Sequence, residues 1–314
     1  MNLKNKKKID YMYLLPKRVT QIVKQLEMLA YERVNGFIAG KHMSKNKGSS
    51  VEFAEHREYV PGDDIKKIDW KVFAKNDRYY LKQYQAETNL ETIMLLDISG
   101  SMSYMGNNSL NINENNVNKL EYAKFLIAAI SLLMVRQQDA VGLMTFDSRV
   151  RKFLPPKTSP VQIRQILEIL HNSVPKGISN FELVLKEVSK RIKNKSTIVI
   201  FSDFFGDNSK LLELIRNLRY QKHEVILFHI MADEELTFPF KDFAEFIDLE
   251  DPGSCMDIDP KTLRATYIKN ITEFCKNLEK GCQNIRADYI CLSTATDYVD
   301  NLIDYFLRVR KGRG

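Results

Sequence analysis

The sequence has no segment that would place it in or across a membrane. No apolar run approaches the roughly 20 residues that a membrane-spanning helix needs. The basic start of the chain is interrupted by Asp10, and the apolar stretch that follows is too short for a secretory signal. We therefore expect a soluble cytoplasmic protein without a membrane span.

The sequence also lacks the common motifs of enzymatic and metal chemistry. It contains no Walker A string, no H-E-x-x-H and no G-x-S-x-G, and its histidines are scattered outside the loops discussed below. Its cysteines are Cys255, Cys275, Cys282 and Cys291. They include no C-x-x-C pair, which disfavours a zinc site and favours free thiols in a reducing compartment. Together these absences favour a protein that is not an enzyme.

An excess of charge of one sign is present, but it is small. The 314 residues include 47 basic and 40 acidic side chains, which gives a net charge of +7. Basic residues crowd both ends of the chain, where solvated tails are their ordinary role, so a nucleic acid partner is not expected. A hydrophobic content of 44% and a charged content of 28% are those of a soluble globular protein.

Predicted strands and helices alternate from residue 92 onward. Strands are predicted at 92–96, 140–146, 150–154, 197–201, 225–230, 246–249 and 289–292, and helices at 119–136, 159–170, 181–192, 209–219, 263–282 and 298–308. This alternation predicts an α/β fold with a doubly wound, mainly parallel sheet of the Rossmann type.

The stretch before residue 92 has a different character. Residues 16–33 are predicted to form a helix, and a small β-containing extension follows it. We therefore expect an N-terminal region of residues 1–91 and a sheet domain of residues 92–314. Within the sheet domain, the asparagine-rich segment 106–118 is expected to be a surface loop.

The most informative pattern is a D-x-S-x-S string directly after the strand predicted at 92–96. Asp97, Ser99 and Ser101 form it, at the carboxyl end of a parallel strand, where open α/β sheets bind ligands. Oxygen ligands without His or Cys suit Mg²⁺ or another hard cation. Asp203 follows the strand predicted at 197–201 and supplies a second carboxylate. The pattern therefore predicts a metal site at one edge of the sheet.

A glycine turn between these two carboxylates supplies a further hydroxyl. The turn begins at Gly177 and carries Ser179 just before the helix predicted at 181–192. Ser179 is either a metal ligand or the N-cap of that helix, and its neighbour Asn180 is a second candidate ligand.

With these residues the chain resembles the von Willebrand factor A-type fold and its metal-ion-dependent adhesion site. That site combines D-x-S-x-S, a Thr on a glycine turn, and an Asp after the fourth strand. The resemblance implies a metal held by Asp97, Ser99, Ser101, Ser179 and Asp203, with Ser179 in place of the usual Thr. It also implies that water or an acidic residue of a partner protein takes the remaining positions on Mg²⁺.

A second pattern lies upstream and narrows the family. Its motif residues are Arg57, Tyr59, Pro61, Gly62, Asp63, Asp64, Lys66, Asp69 and Trp70. Joined to the D-x-S-x-S string, the block resembles the bacterial domain-of-unknown-function family fifty-eight, in which Arg stands at the position of Lys66. We expect Arg57 to pair with Asp63 or Asp64 and Trp70 to pack the extension onto the sheet. The alternative is that this block is a partner-docking surface.

The family resemblance implies a partnership with a MoxR-type AAA+ ATPase. The chain would then be a non-enzymatic, metal-dependent adaptor in the assembly or maturation of protein complexes, with a client that offers an acidic residue. Two alternatives come from other classes. One is a Mg²⁺-dependent phosphoryl hydrolase or transferase that uses Asp97, and the other is an A-type domain that binds RNA.

Overall fold

The computed structural model describes residues 11–17, 19–21, 51–61, 63, 65, 68–76, 78–86, 91–106, 111–112, 115–250, 253 and 255–303. These residues belong to two compact units. The smaller unit contains the described residues from 51 to 86, and the larger contains those up to 21 and from 91 onward. The division near residue 90 lies next to the expected boundary, whereas residues 11–21 belong with the sheet. The division into an N-terminal region and a sheet domain itself stays a prediction.

The smaller unit is an antiparallel strand pair with one short helix. Its elements are β1 (Val51–Glu58), α1 (Trp70–Asn76) and β2 (Tyr80–Ala86). The register of the strand pair shifts between Phe53 and Glu55, which marks a β-bulge. The β-containing extension is therefore confirmed, while the helix predicted at 16–33 lies mostly outside the described residues.

The larger unit is built on a six-stranded sheet. The strands of this unit, including the two pairs outside the main sheet, are in chain order β3 (Glu91–Asp97), β4 (Asn111–Ile112), β5 (Asn115–Asn116), β6 (Ala140–Phe146), β7 (Val150–Lys157), β8 (Ser196–Ser202), β9 (Glu224–Met231), β10 (Ala244–Ile247), β11 (Cys255–Ile258) and β12 (Asp288–Ser293). The sheet order is β12-β9-β8-β3-β6-β7, and every neighbouring pair is parallel except β6 and β7. The doubly wound, mainly parallel sheet is confirmed.

Helices cover both faces of this sheet. They are α2 (Lys119–Arg136), α3 (Pro160–His171), α4 (Phe181–Arg191), α5 (Asn208–Tyr220), α6 (Asp233–Thr237) and α7 (Pro260–Asn284), and residues 298–303 are also helical. Alternate side chains of a strand point to opposite faces. Met94 and Leu96 therefore join a buried cluster with α2 and α3, whereas Ile93 and Leu95 join one with α4, α5 and α7.

The order of the strands fixes where a ligand can bind. The chain leaves β3 towards β6 on one side, and it returns to β8 on the other side of β3. The direction of winding therefore reverses between β3 and β8. In an open α/β sheet the crevice at the carboxyl ends of two such strands is the usual binding position.

Two small hairpins were not expected from the sequence. β10 and β11 pair antiparallel, so the strand expected at 246–249 lies at Ala244–Ile247 and has an unforeseen partner. Within the asparagine-rich segment, β4 and β5 also pair. That segment is therefore not wholly a loop. A ladder of two residue pairs can form in a sequence with few apolar side chains.

No helix in the described part of the chain is both long enough and apolar enough to cross a membrane.

Candidate functional site

Asp97 lies at the carboxyl end of β3 and is fully buried. One carboxylate oxygen accepts a hydrogen bond from the Ser99 backbone N–H at 2.9 Å, and the other accepts one from the Ser202 hydroxyl at 2.7 Å. Burial raises the pKa of Asp97 to about 7, and the negative charge of Asp203 adds to the shift, while the hydrogen bonds oppose it. An ionised Asp97 is therefore costly until a positive charge approaches it.

The loop after Asp97 is fixed by backbone contacts with the glycine turn. The Gly100 N–H donates to the Gly177 carbonyl and the Lys176 N–H donates to the Ile98 carbonyl, each at 2.7 Å. Gly177 has a φ of +75°, a conformation that glycine adopts without strain. These contacts bring the loop after β3 and the turn before α4 together, as the sequence predicts for Ser179.

The two serines of the D-x-S-x-S string share one side of this loop. The Ser99 and Ser101 hydroxyl oxygens are 3.1 Å apart, and Ser99 is fully buried. A hard cation that contacts both oxygens would replace this weak mutual hydrogen bond with two stronger electrostatic contacts.

The helix cap is Asn180 rather than Ser179. The Asn180 side chain accepts a hydrogen bond from the Leu183 N–H at 3.1 Å at the start of α4. The interpretation of Ser179 as the N-cap is therefore wrong, and Asn180 is committed to the helix through its side-chain oxygen. The Ser179 side chain, which is partly exposed, has no such role in the helix.

Asp203 follows β8 and is paired with a buried lysine. The Lys119 ammonium, at the first residue of α2, lies 2.8 Å from an Asp203 oxygen and 2.7 Å from a Glu235 oxygen. Burial alone would lower the pKa of Lys119, but these two carboxylates raise it above its ordinary value. Lys119 is therefore a permanent positive charge inside the cluster, and nothing in its local sequence pointed to it.

The backbone immediately after Asp203 is strained. Phe204 has a φ of +50°, which is uncommon for a residue with a side chain, and costs on the order of 1 kcal/mol. The Phe204 N–H donates to the Ser202 hydroxyl at 2.9 Å, and the Phe204 ring is buried in a stack with Phe181. Burial of this ring holds the turn that places Asp203 at the crevice.

A third carboxylate, Glu250, reaches the site from the segment after β10. Burial and the charge of Asp203 raise its pKa, while hydrogen bonds from the Ser101 side chain and the Ser179 backbone lower it. The same segment passes directly over Gly100, where a Cβ atom would collide with the Leu249 carbonyl. Glycine at position 100 therefore permits this close approach, and Glu250 is a site residue that the sequence did not reveal.

The donor types suit a hard divalent cation. Asp97, Asp203 and Glu250 supply carboxylates, Ser99 and Ser101 supply hydroxyls, and Lys119 supplies one positive charge. The oxygens of the three carboxylates are not all within 4.8 Å of one another. The cluster has an excess of negative charge, which adds to the effect of burial on the pKa of Asp97. Mg²⁺ would relieve it, because Mg²⁺ binds carboxylate and hydroxyl oxygens and keeps several waters.

A further buried carboxylate, that of Asp147, has a different role. Asp147 follows β6 and is 1% exposed, and its carboxylate contacts Arg151 at 2.6 Å and the Arg149 N–H at 3.1 Å. Burial opposes ionisation, but the Arg151 guanidinium holds the pKa of Asp147 below its ordinary value. Asp147 is therefore already neutralised and needs no cation.

The upstream block is partly described. One Arg57 nitrogen contacts both Asp63 oxygens at 2.6 Å, and Asp63 also accepts a hydrogen bond from the Val60 N–H. The expected pairing of Arg57 with an aspartate is confirmed for Asp63, while Gly62, Asp64 and Lys66 lie outside the described residues. Tyr59 and Pro61 lie on the turn after β1.

The last two residues of the block stand at the start of α1. Asp69 is 7% exposed and accepts a hydrogen bond from the Lys71 N–H at 3.0 Å. Trp70 is 55% exposed and meets Phe73 edge-on. The expectation that Trp70 packs the extension onto the sheet stays a prediction.

Comparison with known proteins identifies relatives over most of the chain. The family model described as "Protein of unknown function DUF58" matches residues 55–275. An uncharacterized protein of Mycobacterium tuberculosis strain H37Rv is 22% identical over 304 residues, covering 94% of this chain and 91% of the relative. An uncharacterized protein of Mycobacterium bovis has the same identity and coverage. The family predicted from the two sequence patterns is confirmed.

Some solved structures are also similar to this chain, at lower sequence identity than the mycobacterial relatives. A conserved hypothetical protein, BatB from Bacteroides thetaiotaomicron, has 16% identity and a TM-score of 0.44, covering 71% of this chain and 99% of that chain. The SpRpn10 VWA domain has 13% identity and a TM-score of 0.41, covering 69% of this chain and 95% of that domain. The strand order of the sheet and the helices on both of its faces show the doubly wound α/β fold that the sequence predicts.

Proposed function

We infer that this chain, which belongs to the DUF58 family, is a protein-interaction module that holds its partner through a divalent cation. In this proposal Mg²⁺ binds to Asp97, Ser99, Ser101, Ser179 and Asp203. An acidic side chain of the partner completes the coordination of the metal. The module is an adaptor and not an enzyme.

The position of Glu250 carries this proposal. This carboxylate accepts hydrogen bonds from the Ser101 side chain and the Ser179 backbone, and it lies close enough to Asp203 for their charges to interact. The site therefore receives a carboxylate in addition to Asp97 and Asp203. A partner's acidic side chain has the same chemistry as Glu250 and would take its place beside a bound cation.

The environment of Asp97 supports binding over catalysis. A nucleophilic aspartate needs a general acid or base beside it, whereas the hydrogen bonds of Asp97 come from the Ser99 backbone N–H and the Ser202 hydroxyl. The phosphoryl hydrolase or transferase and the RNA-binding domain remain alternatives, and no contact in the described residues favours either of them.

The finer functional proposal rests on the family resemblance. The partners we propose are a MoxR-type AAA+ ATPase, which performs the mechanical work, and a client protein that offers an acidic residue. This chain links the two during assembly or maturation of a protein complex. The metal can hold an acidic side chain of either partner, and capture of the ATPase tests the first of them. A cytoplasmic location belongs to the same proposal.

Metal binding is tested first, by unfolding of the purified full-length chain with and without Mg²⁺. At a Mg²⁺ concentration about 100-fold above Kd, wild type gains about 2.7 kcal/mol of stability, whereas Asp97→Ala and Ser101→Ala gain much less. Ser103→Ala is the matched control, because the Ser103 hydroxyl donates to the Gly100 carbonyl in the same loop. An equal Mg²⁺ effect in all four proteins would contradict the metal site.

Partner binding is tested with the purified ATPase in saturating Mg²⁺. Chelation is a poor test here, since the ATPase needs Mg²⁺ for its own nucleotide. Asp97→Ala removes only the site on this chain and should reduce capture of the ATPase at least tenfold, while Ser103→Ala should leave it unchanged. If Asp97→Ala retains full capture, the cation does not hold this partner.

A further inference from the structure

A second cluster of metal-binding side chains lies at the β12 edge of the sheet and shares no residue with the carboxylates described above. His229 comes from β9, Cys275 from α7 and Cys291 from β12. One ligand atom from each, an imidazole nitrogen or a thiol sulfur, lies within 4.8 Å of the other two. In the described part of the chain, no other group of three His, Cys, Asp or Glu residues has this spacing.

The histidine is oriented for a ligand. His229 is fully buried, and its Nδ1 lies 2.6 Å from the Tyr289 hydroxyl. Its Nε2 is buried and has no hydrogen-bond partner among the described residues. An unsatisfied buried polar atom usually costs about 1–3 kcal/mol of folding stability, so a ligand bound to Nε2 would stabilise the fold. Metal-bound histidines typically use one ring nitrogen for the metal and fix the other by a hydrogen bond.

The rings around His229 make its surroundings apolar. Phe204 and Phe274 meet the imidazole edge-on, with centroids 5.7 Å and 5.9 Å away. Such a shell keeps water from Nε2 and strengthens the bond of a metal to nitrogen. It also fixes the ring, because few rotamers fit between two phenylalanines.

The two cysteines are free thiols and they interact with one another. A hydrogen bond from Cys291 lowers the pKa of Cys275, burial opposes this, and His229 lowers it further. The two sulfurs are close enough to contact one metal ion, which binds cysteine in its thiolate form. Both cysteines line a groove of about 420 Å³ together with Tyr289 and Glu279, which gives a metal ion a route of entry.

We propose that His229, Cys275 and Cys291 form a zinc-binding site, with the fourth position of the tetrahedral metal open to the groove. Two sulfurs and one imidazole nitrogen are ligands for Zn²⁺ and not for Mg²⁺. Tyr289 is a positioning residue that holds the imidazole through Nδ1. The site does not depend on the proposed function, because it shares no ligand with the carboxylate cluster.

The test uses Co²⁺ in place of Zn²⁺ and the reduced, full-length protein. An excess of Mg²⁺ keeps Co²⁺ from the oxygen ligands, and only thiolate ligands give an intense charge-transfer absorption in the near ultraviolet. Wild type should bind one Co²⁺ with this band, and added Zn²⁺ should abolish it. Cys275→Ser and Cys291→Ser should weaken or abolish the band, because each leaves at most one thiolate on the metal, while Cys255→Ser, which removes an exposed thiol outside the cluster, should keep it.

Zinc affinity measured against a coloured chelator gives the second readout. Loss of either cysteine or His229→Phe should weaken Zn²⁺ binding by more than tenfold, and Tyr289→Phe by about tenfold. A cooperative urea unfolding transition of each variant confirms that it is folded. Absence of the band in wild type, or an undiminished band in Cys275→Ser or Cys291→Ser, would overturn the proposal. Asp97→Ala should keep the band, so failure of the Mg²⁺ site leaves this result unaffected.

Discussion

The two candidate metal sites of this chain differ in donor chemistry and in how the fold assembles them. The oxygen site lies where β3 and β8 end, and the loops that carry Asp97 and Asp203 follow strands whose order makes them neighbours. The sulfur site joins residues of β9, α7 and β12 that are up to 62 positions apart. Its His229 and Cys291 are register partners on neighbouring strands, and Cys275 comes from a helix. Strand order therefore gathers ligands in both sites, whereas the packing of a helix against the sheet adds a ligand without a local signal.

The sites also differ in charge. The oxygen site holds more carboxylates than its one lysine balances. The sulfur site contains no carboxylate ligand, only one imidazole ring and two thiols. A cation at the first site relieves repulsion that exists without it. At the second site the metal must displace protons from thiols.

The largest effect should follow removal of the internal cation of the oxygen site. Lys119→Met leaves Asp203 and Glu235 buried without their partner and should lower the free energy of unfolding by about 3–5 kcal/mol. Urea unfolding measures this, and Mg²⁺ should restore part of the loss because it supplies positive charge beside Asp203.

The matched control for this change is Lys186→Met. Lys186 pairs with Glu182 on the exposed side of α4, so its loss should cost no more than about 0.5 kcal/mol. Equal losses in the two variants would show that the buried ion pair contributes no more than a surface pair, and the proposed charge balance of the site would fail.

The next-largest effect should be a pH dependence of the free energy of unfolding that arises from Asp97 in the oxygen site. Asp97 has a pKa of about 7 in the fold, against 3.8 as the ordinary value. A raised folded pKa means that stability is highest when the group is protonated, and is lost as pH rises from the unfolded value through the folded one. In chelator, the free energy of unfolding should therefore fall by a few kcal/mol between about pH 4 and pH 7.

Asp97→Asn isolates this contribution, since asparagine does not titrate. The difference in stability between wild type and Asp97→Asn should change with pH in chelator and change much less in saturating Mg²⁺. The same titration of Ser103→Ala should follow wild type, because this change removes no titratable group. A wild-type curve parallel to that of Asp97→Asn would rule out the charge repulsion at Asp97.

The role of Glu250 should produce two effects of opposite sign. Glu250→Gln removes one negative charge and should weaken Mg²⁺ binding by up to about tenfold, roughly the energy of one charge-assisted hydrogen bond. In saturating Mg²⁺ it should strengthen binding of the acidic partner, because the internal carboxylate no longer competes. Calorimetry with Mg²⁺ and with the purified ATPase measures both, and effects of the same sign would contradict competition by Glu250.

The smallest expected effects concern the glycine turn, where Ser179 is the proposed metal ligand and Asn180 is the N-cap of α4. Asn180→Ala removes the N-cap of α4 and should cost about 1 kcal/mol of stability with little change in Mg²⁺ affinity. Ser179→Ala should show the reverse, a weaker Mg²⁺ affinity at nearly unchanged stability. Thermal unfolding at several Mg²⁺ concentrations separates the two, and a shared pattern would remove Ser179 from the ligand set.

The sequence predicted most of the sheet because local patterns carry its elements. The helix expected at 119–136 and the strand expected at 140–146 have the same bounds in the structure, since long apolar periodicity leaves little choice of conformation. The strand expected at 150–154 is an edge strand, as predicted, and extends to residue 157. The hairpin of β10 and β11 was missed because four-residue strands exposed to solvent have almost no periodic pattern.

The sequence by itself determined the family, the sheet, and the ligands that follow strands, such as Asp97 and Asp203. These follow from short-range patterns, and parallel strands place their carboxyl ends together. Only the tertiary structure decided that Lys119 and Glu250 enter the oxygen site and that His229, Cys275 and Cys291 meet. Such contacts depend on how helices and hairpins pack against the sheet, and packing joins residues whose separation along the chain has no fixed period.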